Sequence, residues 1–267
     1  MQRSFVKMHG LGNDFVLFDA RDEPLTLSLE QVCAICDRRT GIGCDQLFVI
    51  EPSDEADVFM RIWNADGGEV SACGNGARCV ARLVATDGEA VRIETLGGVI
   101  EGRADGASAA VDMGAPRFAW DEVPLAYAMD TAVMPVGWGD LEGPGAVNVG
   151  NPHVVFFVDD VAAVDAETLG PLIEADPLFP EKVNVGFCAA RSPTRLDLRV
   201  WERGAGLTQA CGTGACAAAV VAARRRLTGR AVTVALPGGS LEIDWRADDH
   251  ILMTGPADIS FRGEIDL

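Results

Sequence analysis

The hydrophobic pattern of the first hundred residues predicts short strands separated by two helices. Residues 28–38 have the apolar spacing of a helix and begin with a serine, which is a good N-cap residue. A second helix, rich in alanine and valine, is predicted from Cys73 to Ala85. Alternating or continuously apolar runs predict strands, and the last two form a hairpin around Gly97-Gly98. The predicted strands are 5–9, 15–18, 47–50, 58–63, 91–95 and 99–103.

The second half of the chain repeats this succession of elements. Its predicted elements are helices at 166–173 and 212–226, strands at 154–158 and 196–201, a hairpin at 232–243 and a last strand near 259–262. Helix 212–226 is apolar on all sides through its first three turns, so we expect it to be enclosed rather than amphipathic. The pattern therefore predicts a helix wrapped by strands, twice.

An internal repeat underlies this similarity, because matching motifs lie 138 residues apart. A turn motif that merely occurred twice would not keep one spacing over more than sixty positions, so we infer two homologous halves. The matched pairs are Gly12-Asn13-Asp14-Phe15 with Gly150-Asn151-Pro152-His153, Arg61-Ile62-Trp63-Asn64 with Arg199-Val200-Trp201-Glu202, Gln46 with Asn184, and Cys73-Gly74-Asn75-Gly76 with Cys211-Gly212-Thr213-Gly214.

The domain boundary is expected in the segment 103–145, which is rich in glycine, proline and alanine. We assign residues 1–115 to an N-terminal α/β domain that carries Cys73. Residues 116–257 form a C-terminal α/β domain that carries Cys211. We expect the last strand, 258–267, to return to the first domain.

Composition and charge narrow the range of partners. The 267 residues are 48% apolar and carry a formal net charge of −18, which argues against nucleic acid and anionic membranes as partners. The N-terminus lacks the apolar stretch of a secretory signal, and the longest apolar run, 215–223, is too short to span a membrane. We therefore expect a cytoplasmic protein.

Two of the eight cysteines occur at equivalent places, each at the start of a helix. Free backbone N–H groups and the helix dipole at such a position favour the thiolate of Cys73 and of Cys211. Gly74 and Gly212 have no Cβ, so a carboxylate could approach these N–H groups closely. Either cysteine alone would be interpreted as a core residue. As a pair, they indicate one shared site at which two thiols remove and return a proton on opposite faces of one carbon.

Other kinds of thiol chemistry stay open at this point. The chain has three histidines and no visible pattern of a cysteine–histidine–asparagine triad. Cys33-x-x-Cys36 could indicate a redox or metal-binding protein, although its helical context favours core packing. A non-catalytic amino-acid-binding module would have the same polar residues without turnover.

The motifs together closely resemble those of the diaminopimelate epimerase family over essentially the whole chain. Gly68, where the family often has serine, is a small departure beside a motif. The motifs are His9-Gly10-Leu11-Gly12-Asn13-Asp14-Phe15, Gly41-Ile42-Gly43-Cys44-Asp45-Gln46, Asn64-Ala65-Asp66-Gly67, Ala72-Cys73-Gly74-Asn75-Gly76, Gly150-Asn151-Pro152-His153, Asn184-Val185-Gly186-Phe187 and residues 202–215.

This resemblance implies a fold of two pseudo-symmetric α/β domains, each a curved mixed sheet around a central helix. It also implies an isomerase that interconverts LL- and meso-diaminopimelate, for lysine and peptidoglycan synthesis, without a cofactor or a metal ion. Cys73 and Cys211 would then be proton donor and acceptor, exchanging roles with the direction of reaction. His153 and Glu202 would adjust the pKa values of the thiols.

The resemblance also assigns the residues that bind substrate. The reacting carboxylate would be held at Gly74, Asn75, Gly212 and Thr213. The rest of the substrate would be surrounded by Asn13, Gln46, Asn64, Asn151, Asn184, Glu202 and Arg203. A proline or hydroxyproline racemase shares the two-thiol logic but has no need of Arg203 or of so many amides. The expected partner is a small-molecule substrate, and a homodimer stays open.

Overall fold

The computed structural model describes residues 2–71, 73–86 and 88–267, which form two compact units. The first unit comprises Met1–Asp112 and Gly255–Leu267, and the second comprises Met113–Thr254. None of the helices in the described part of the chain is long and apolar enough to span a membrane.

The elements of the first segment alternate strands with two helices. They are β1 (Gln2–Gly10), β2 (Asn13–Asp19), α1 (Leu29–Cys36), β3 (Gln46–Glu51), β4 (Val58–Asn64), α2 (Gly74–Val84), β5 (Ala90–Thr95), β6 (Gly98–Asp105) and β7 (Ser108–Asp112).

The remaining elements follow a similar order. They are β8 (Gly137–Trp138), β9 (Leu141–Glu142), β10 (Gly145–Asn148), β11 (Pro152–Phe157), α3 (Ala166–Glu174), β12 (Asn184–Ser192), β13 (Arg195–Glu202), β14 (Gly206–Leu207), α4 (Gly212–Arg224), β15 (Ala231–Leu236), β16 (Gly239–Trp245), β17 (Ile251–Pro256) and β18 (Asp258–Asp266).

In the first unit the strands form a mixed sheet in the order β7-β6-β5-β4-β3-β2-β1-β18. The pairs β2–β3 and β4–β5 are parallel, and the other neighbours are antiparallel. Helix α2 packs against β1, β5, β6 and β7, and its residues from Asn75 to Ala81 are buried. The sheet therefore encloses this helix.

The second unit has the order β10-β11-β12-β13-β15-β16-β17, and here β11–β12 and β13–β15 are the parallel pairs. Helix α4 packs against β10, β11, β12, β13, β15 and β16. Its residues from Gly214 to Ala222 are buried all round, as its apolar sequence predicts. The mixed α/β fold with two repeated units and enclosed helices is confirmed.

Strand register confirms the internal repeat at the level of single residue pairs. In the first unit Phe15 pairs with Gln46, and the residues 138 positions later, His153 and Asn184, pair in the same way. The pair Leu47–Trp63 is likewise reproduced by Val185–Trp201. Two halves that share the register of their central strands are copies of one structural plan.

Some predicted boundaries differ from those in the structure. Helix α1 begins after Ser28, whose side chain caps it together with Gln31, but it ends at Cys36 because Asp37 adopts an extended backbone. Helix α4 ends at Arg224 rather than at residue 226, where the backbone is left-handed. Strands β7, β8, β9, β10, β12, β14 and β17 were not predicted. Strand β12 contains glycine and alanine, which have low strand propensity, and burial between two neighbours stabilises it instead.

Candidate active site

In the first unit, the candidate polar residues lie at one end of the sheet. Strands β2 and β3 are parallel and begin at Asn13 and Gln46, while β4 runs the opposite way and ends at Asn64. Gln46 and Asn64 are direct partners in the β3–β4 ladder. The topology therefore brings three of the predicted site residues to a common edge.

Cys73 is the N-cap residue of α2. Its backbone is extended and its Sγ atom accepts a hydrogen bond from the N–H of Gly76, with an N–S distance of 3.3 Å. Gly74 and Asn75 are the first two helical residues, whose N–H groups have no carbonyl partner within a helix. The thiol thus lies beside backbone donors, as the sequence predicts.

The start of α2 rests directly on an aromatic pair. A Cβ atom built on Gly76 would lie 2.3 Å from the ring of Phe48, so any side chain here would push the helix away from β3. The Phe48 ring is stacked on Phe15, with a centroid distance of 4.8 Å. This packing fixes the height of the Cys73 backbone above the sheet.

Four amide side chains in this unit form two hydrogen-bonded pairs. The Nδ2 atom of Asn75 donates to Oδ1 of Asn13 at 3.2 Å. The Nε2 atom of Gln46 donates to Oδ1 of Asn64 at 3.0 Å. The first pair joins the start of α2 to the start of β2, so both amides are tied to the segment that carries the thiol.

A charged cluster beneath these amides was not among the predicted site residues. Lys7 and Arg38 both donate to the carboxylate of Asp14, and Arg38 also donates to Asp45. Burial alone would raise the pKa of Asp14, but the hydrogen bonds from Arg38 and Lys7 outweigh it and lower the pKa to about 2. The sequence offered one signal for the two carboxylates: each is next to a predicted site residue, since Asp14 follows Asn13 and Asp45 precedes Gln46.

The second unit gathers its candidates at the equivalent end of its sheet. Asn184, at the start of β12, is buried, and its Nδ2 atom donates to the carbonyl of Pro152 at 2.9 Å. Its Oδ1 atom accepts from the backbone N–H of Arg203, also at 2.9 Å. The Asn184 amide therefore ties the start of β11 to the turn after β13.

Cys211 is the N-cap residue of α4, and it is almost fully buried. Its Sγ atom accepts from the N–H of Gly214 at 3.4 Å and lies 3.6 Å from Oγ1 of Thr213. The N–H of Gly214 at the helix start favours the thiolate, as expected, but other effects on this cysteine are larger. Burial and the nearby Glu202 carboxylate raise its pKa, and they outweigh the hydrogen bonds from Thr213 and Gly214.

His153 lies within reach of Cys211 through Thr213. Its ring is fully buried, and Nε2 lies 2.9 Å from Oδ1 of Asn151 and 3.0 Å from Oγ1 of Thr213. Burial, with a smaller repulsion from Arg203, lowers the pKa of His153 to about 3. The ring is therefore neutral at physiological pH.

Glu202 ends β13 and interacts with Cys211. Burial raises the pKa of Glu202, while hydrogen bonds from Thr208 and Cys211 act in the opposite direction. The Oγ1 atom of Thr208 donates to Oε1 of Glu202 at 2.5 Å, a contact that was not predicted. Arg203, the next residue, is exposed, and one of its guanidinium nitrogens donates to the carbonyl of Glu181 at 2.9 Å.

The two thiols have chemically different surroundings. The positions of Phe15 and Phe48 in the first unit correspond to His153 and Gly186 in the second, according to strand register. Asn64 corresponds likewise to Glu202. The environment of Cys73 is thus an aromatic pair and amides, whereas Cys211 has an imidazole and a carboxylate nearby.

The remaining cysteines do not assemble a metal centre. No disulfide joins any of the eight cysteines, and within residues 2–71, 73–86 and 88–267 there is no cluster of three or more potential metal ligands. Cys36 is buried at the end of α1, where its Sγ atom lies 3.4 Å from that of Cys44. Cys36 thus packs in the core of the first unit, whereas Cys33 is half-buried.

The chain is similar to known proteins over its whole length. A family model described as diaminopimelate epimerase matches residues 5–119 and 145–260. A diaminopimelate epimerase of Erythrobacter litoralis (strain HTCC2594) is 62% identical over 267 residues, covering 100% of this chain and 98% of the relative. One from Rhizorhabdus wittichii (strain DSM 6014 / CCUG 31198 / JCM 15750 / NBRC 105917 / EY 4224 / RW1) is 56% identical over 268 residues, covering 100% and 97%.

The fold of this chain is also similar to that of a solved structure. The hydroxyproline epimerase from Agrobacterium vitis has a TM-score of 0.69 and 13% sequence identity, over 100% of this chain and 93% of that one. The family match and the curated relatives show that the chain is an isomerase of the epimerase class. Within that class, the chain belongs to the diaminopimelate epimerase family.

Proposed function

We propose that this protein interconverts LL- and meso-diaminopimelate by removing the proton at one α-carbon and returning a proton to the opposite face. The observation that carries the proposal is a cysteine at the N-cap of an enclosed helix in each unit, Cys73 on α2 and Cys211 on α4. Two acid/base groups of the same kind suit a reaction that must run in both directions.

In one direction Cys211 acts as the base and Cys73 as the acid, and the roles are exchanged in the other. The raised pKa of Cys211 suits the direction in which Cys211 is the acid, because a thiol that is held protonated has a proton to donate. Glu202 and His153 influence the pKa of the Cys211 thiol in different ways. The carboxylate acts directly, and the neutral imidazole acts through Thr213.

Removal of the α-proton leaves negative charge that spreads into the adjacent carboxylate. The backbone N–H groups at the starts of α2 and α4, at Gly74, Asn75, Gly212 and Thr213, are the donors proposed to bind that carboxylate. No cofactor is needed for this role if the donors are already in place.

The far end of the substrate carries a second ammonium and a second carboxylate. The Arg203 guanidinium has several donors, and its hydrogen bond to the carbonyl of Glu181 uses one nitrogen, so others can bind the carboxylate. The amides of Asn13, Gln46, Asn64, Asn151 and Asn184, with the Glu202 carboxylate, supply the other polar contacts. We propose that this set distinguishes diaminopimelate from a cyclic imino acid.

The decisive experiment is exchange of the α-hydrogen with solvent deuterium. Purified protein, without added pyridoxal phosphate or metal, is incubated in D₂O with LL- or meso-diaminopimelate and followed by proton NMR and mass spectrometry. We expect loss of the α-proton signal and formation of the other stereoisomer. Absence of exchange with both stereoisomers would falsify the proposal.

Matched variants separate the proposed catalytic thiols from structural ones. Cys73→Ala and Cys211→Ala are expected to lower turnover about a hundredfold or more, since general acid–base groups typically contribute 10²–10⁴. Cys79→Ala on α2 and Cys216→Ala on α4 should keep turnover within about tenfold of wild type. Retained ligand affinity without any wild-type turnover would instead indicate a binding module.

The same assay tests the rival substrates and the rival class. With trans-4-hydroxyproline or proline we expect no exchange. Stoichiometric zinc in the purified protein would favour a metal-binding or redox role for the cysteines. We expect the protein to act in the cytoplasm, without nucleic acid or a membrane as partner, and light scattering would decide whether it forms a homodimer.

A further inference from the structure

The carboxylate of Asp45 is engaged on several sides. Its Oδ2 atom accepts from Nδ2 of Asn13 at 2.8 Å and from the backbone N–H of Asp14 at 3.1 Å. Its Oδ1 atom accepts from the guanidinium of Arg38 at 2.6 Å. In return, the backbone N–H of Asp45 donates to Oδ1 of Asp14 at 3.1 Å. The loop before β3 and the start of β2 therefore hold each other in place.

These contacts determine which way the Asn13 amide faces. A carboxylate only accepts hydrogen bonds, so the NH₂ group of Asn13 must face Asp45. The Oδ1 atom of Asn13 then accepts from Nδ2 of Asn75 on the first turn of α2. A flipped amide would place two acceptors together at Asp45 and two donors together at Asn75. The orientation with its NH₂ group on Asp45 is the one that satisfies both neighbours.

We propose that Asp45 is a positioning residue for substrate binding, which fixes the Asn13 amide so that its second N–H is presented as a donor to the substrate. This inference rests on the proposed function, in which Asn13 binds the part of diaminopimelate away from the reacting carbon. Asp45 itself does not touch the substrate. Its contribution is to exclude the amide orientation in which an oxygen would face a substrate carboxylate.

A purely stabilising ion pair is the main competing explanation. The side chains of Arg38 and Asp45 are 56% and 44% exposed, and ion pairs this exposed contribute little to stability. The hydrogen bond from Asn13 to Asp45 differs from such an ion pair, because it selects one of the two orientations of the Asn13 amide. Loss of that selection should therefore alter binding more than folding.

The test uses Asp45→Asn with a matched control at the far end of β2, the strand that begins at Asn13. An asparagine at 45 can donate as well as accept, so it permits the flipped Asn13 amide. Asp19, at the end of β2, is likewise bound by an arginine and a backbone N–H, so Asp19→Asn is the control. We expect Asp45→Asn to raise KM for diaminopimelate about tenfold or more with kcat changed less than threefold, and Asp19→Asn to change neither.

A double-mutant cycle distinguishes positioning from general weakening of the loop. If Asp45 acts through Asn13, adding Asp45→Asn to Asn13→Ala will raise KM no further than Asn13→Ala alone. Additive increases in KM would overturn the proposal, as would an unchanged KM in Asp45→Asn. If Asp45→Asn does not fold, Asp45→Glu replaces it, since this variant keeps the charge but displaces the oxygens. We expect Asp45→Glu to raise KM, and an unchanged KM would also overturn the proposal.

Failure of the proposed function and failure of the positioning role of Asp45 would give different results. If the wild-type protein gives no exchange with either stereoisomer, the proposed function is wrong and the role of Asp45 falls with it. If the wild-type protein turns over and the Asp45 variants match the Asp19 control, only the positioning role is wrong.

Discussion

The Nε2 atom of His153 lies 3.0 Å from Oγ1 of Thr213, whereas Nδ1 of the same ring has no hydrogen-bond partner among the residues that the structure describes. The ring is fully buried. A second proton on the ring would thus place a charge in the core of the second unit, and this burial is the main physical reason for a pKa of about 3.

Acid should therefore destabilise the second unit through His153. Its folded pKa, about 3, lies below the unfolded value of about 6.5, so its contribution is complete above pH 6.5 and is lost as the pH falls towards 3. Between pH 6.5 and pH 4.5 we expect the wild-type protein to lose about 2 kcal/mol more stability than His153→Gln. Urea unfolding followed by tryptophan fluorescence suits this measurement, because four of the five tryptophans lie within 113–254.

The control for this measurement is the exposed His250 in the same unit. His250→Gln should keep the wild-type dependence on pH, since it removes no buried neutral ring. Equal dependence in His153→Gln and the wild-type protein would show that the imidazole is not held neutral by burial.

Thr208 is expected to act through Glu202. Its hydroxyl donates to the carboxylate and thereby opposes the rise in the pKa of Glu202 caused by burial. In Thr208→Val the pKa of Glu202 should rise further, so the acidic limb of the kcat/KM profile should move to higher pH, while Thr208→Ser restores it. A lower rate with an unshifted profile would argue for a merely structural threonine.

Gly76→Ala should be destabilising even though alanine favours a helix. The new Cβ would lie 2.3 Å from the Phe48 ring, which is itself stacked on Phe15 and cannot move freely. We expect a loss of about 1–3 kcal/mol, typical of an overpacked core, and lower activity because Cys73 is displaced. Gly229→Ala, where a Cβ would lie 3.8 Å from the carbonyl of Pro193, is the matched control and should change thermal stability little.

Oxidation should produce two separate disulfides. Under the proposed function, diamide joins Cys73 to Cys211 and stops activity, and reductant restores it. The 3.4 Å contact between Cys36 and Cys44 makes a second pair, and the hydrogen bond from Cys44 lowers the pKa of the Cys36 thiol. Peptide mapping should find both bonds, and Cys36→Ser should abolish one without protecting activity. If Cys36→Ser does protect it, inactivation proceeds through the structural pair.

Local patterns were enough to predict much of the fold. The apolar alanine-rich run of α4 and the serine before α1 are short-range signals, and the repeat spacing fixed which elements correspond. Strand β12 was missed because its composition is poor for a strand and its neighbours, β11 and β13, stabilise it. Burial of this kind depends on contacts that are distant in sequence.

The identity of the site residues was easier to predict than their interactions. The motifs indicated Cys211 and Glu202. The pKa of the Cys211 thiol is raised mainly by burial, and the spacing of residues in a sequence does not show how deeply a side chain is buried. The contact of Thr208 with Glu202 and that of Asp45 with Asn13 are likewise tertiary. Their roles in substrate binding stay predictions until the variants are measured.

The glycine contacts under the two helices have an evolutionary consequence. In each unit the proposed catalytic thiol caps a helix whose backbone packs closely against the core, at Gly76 against Phe48 and at Gly214 against Val200. The residues proposed to choose the substrate lie instead at strand ends and in turns, as Arg203 does. Substitutions in the turns could then change the substrate without moving the two thiols. One scaffold could thus serve epimerases of quite different amino acids.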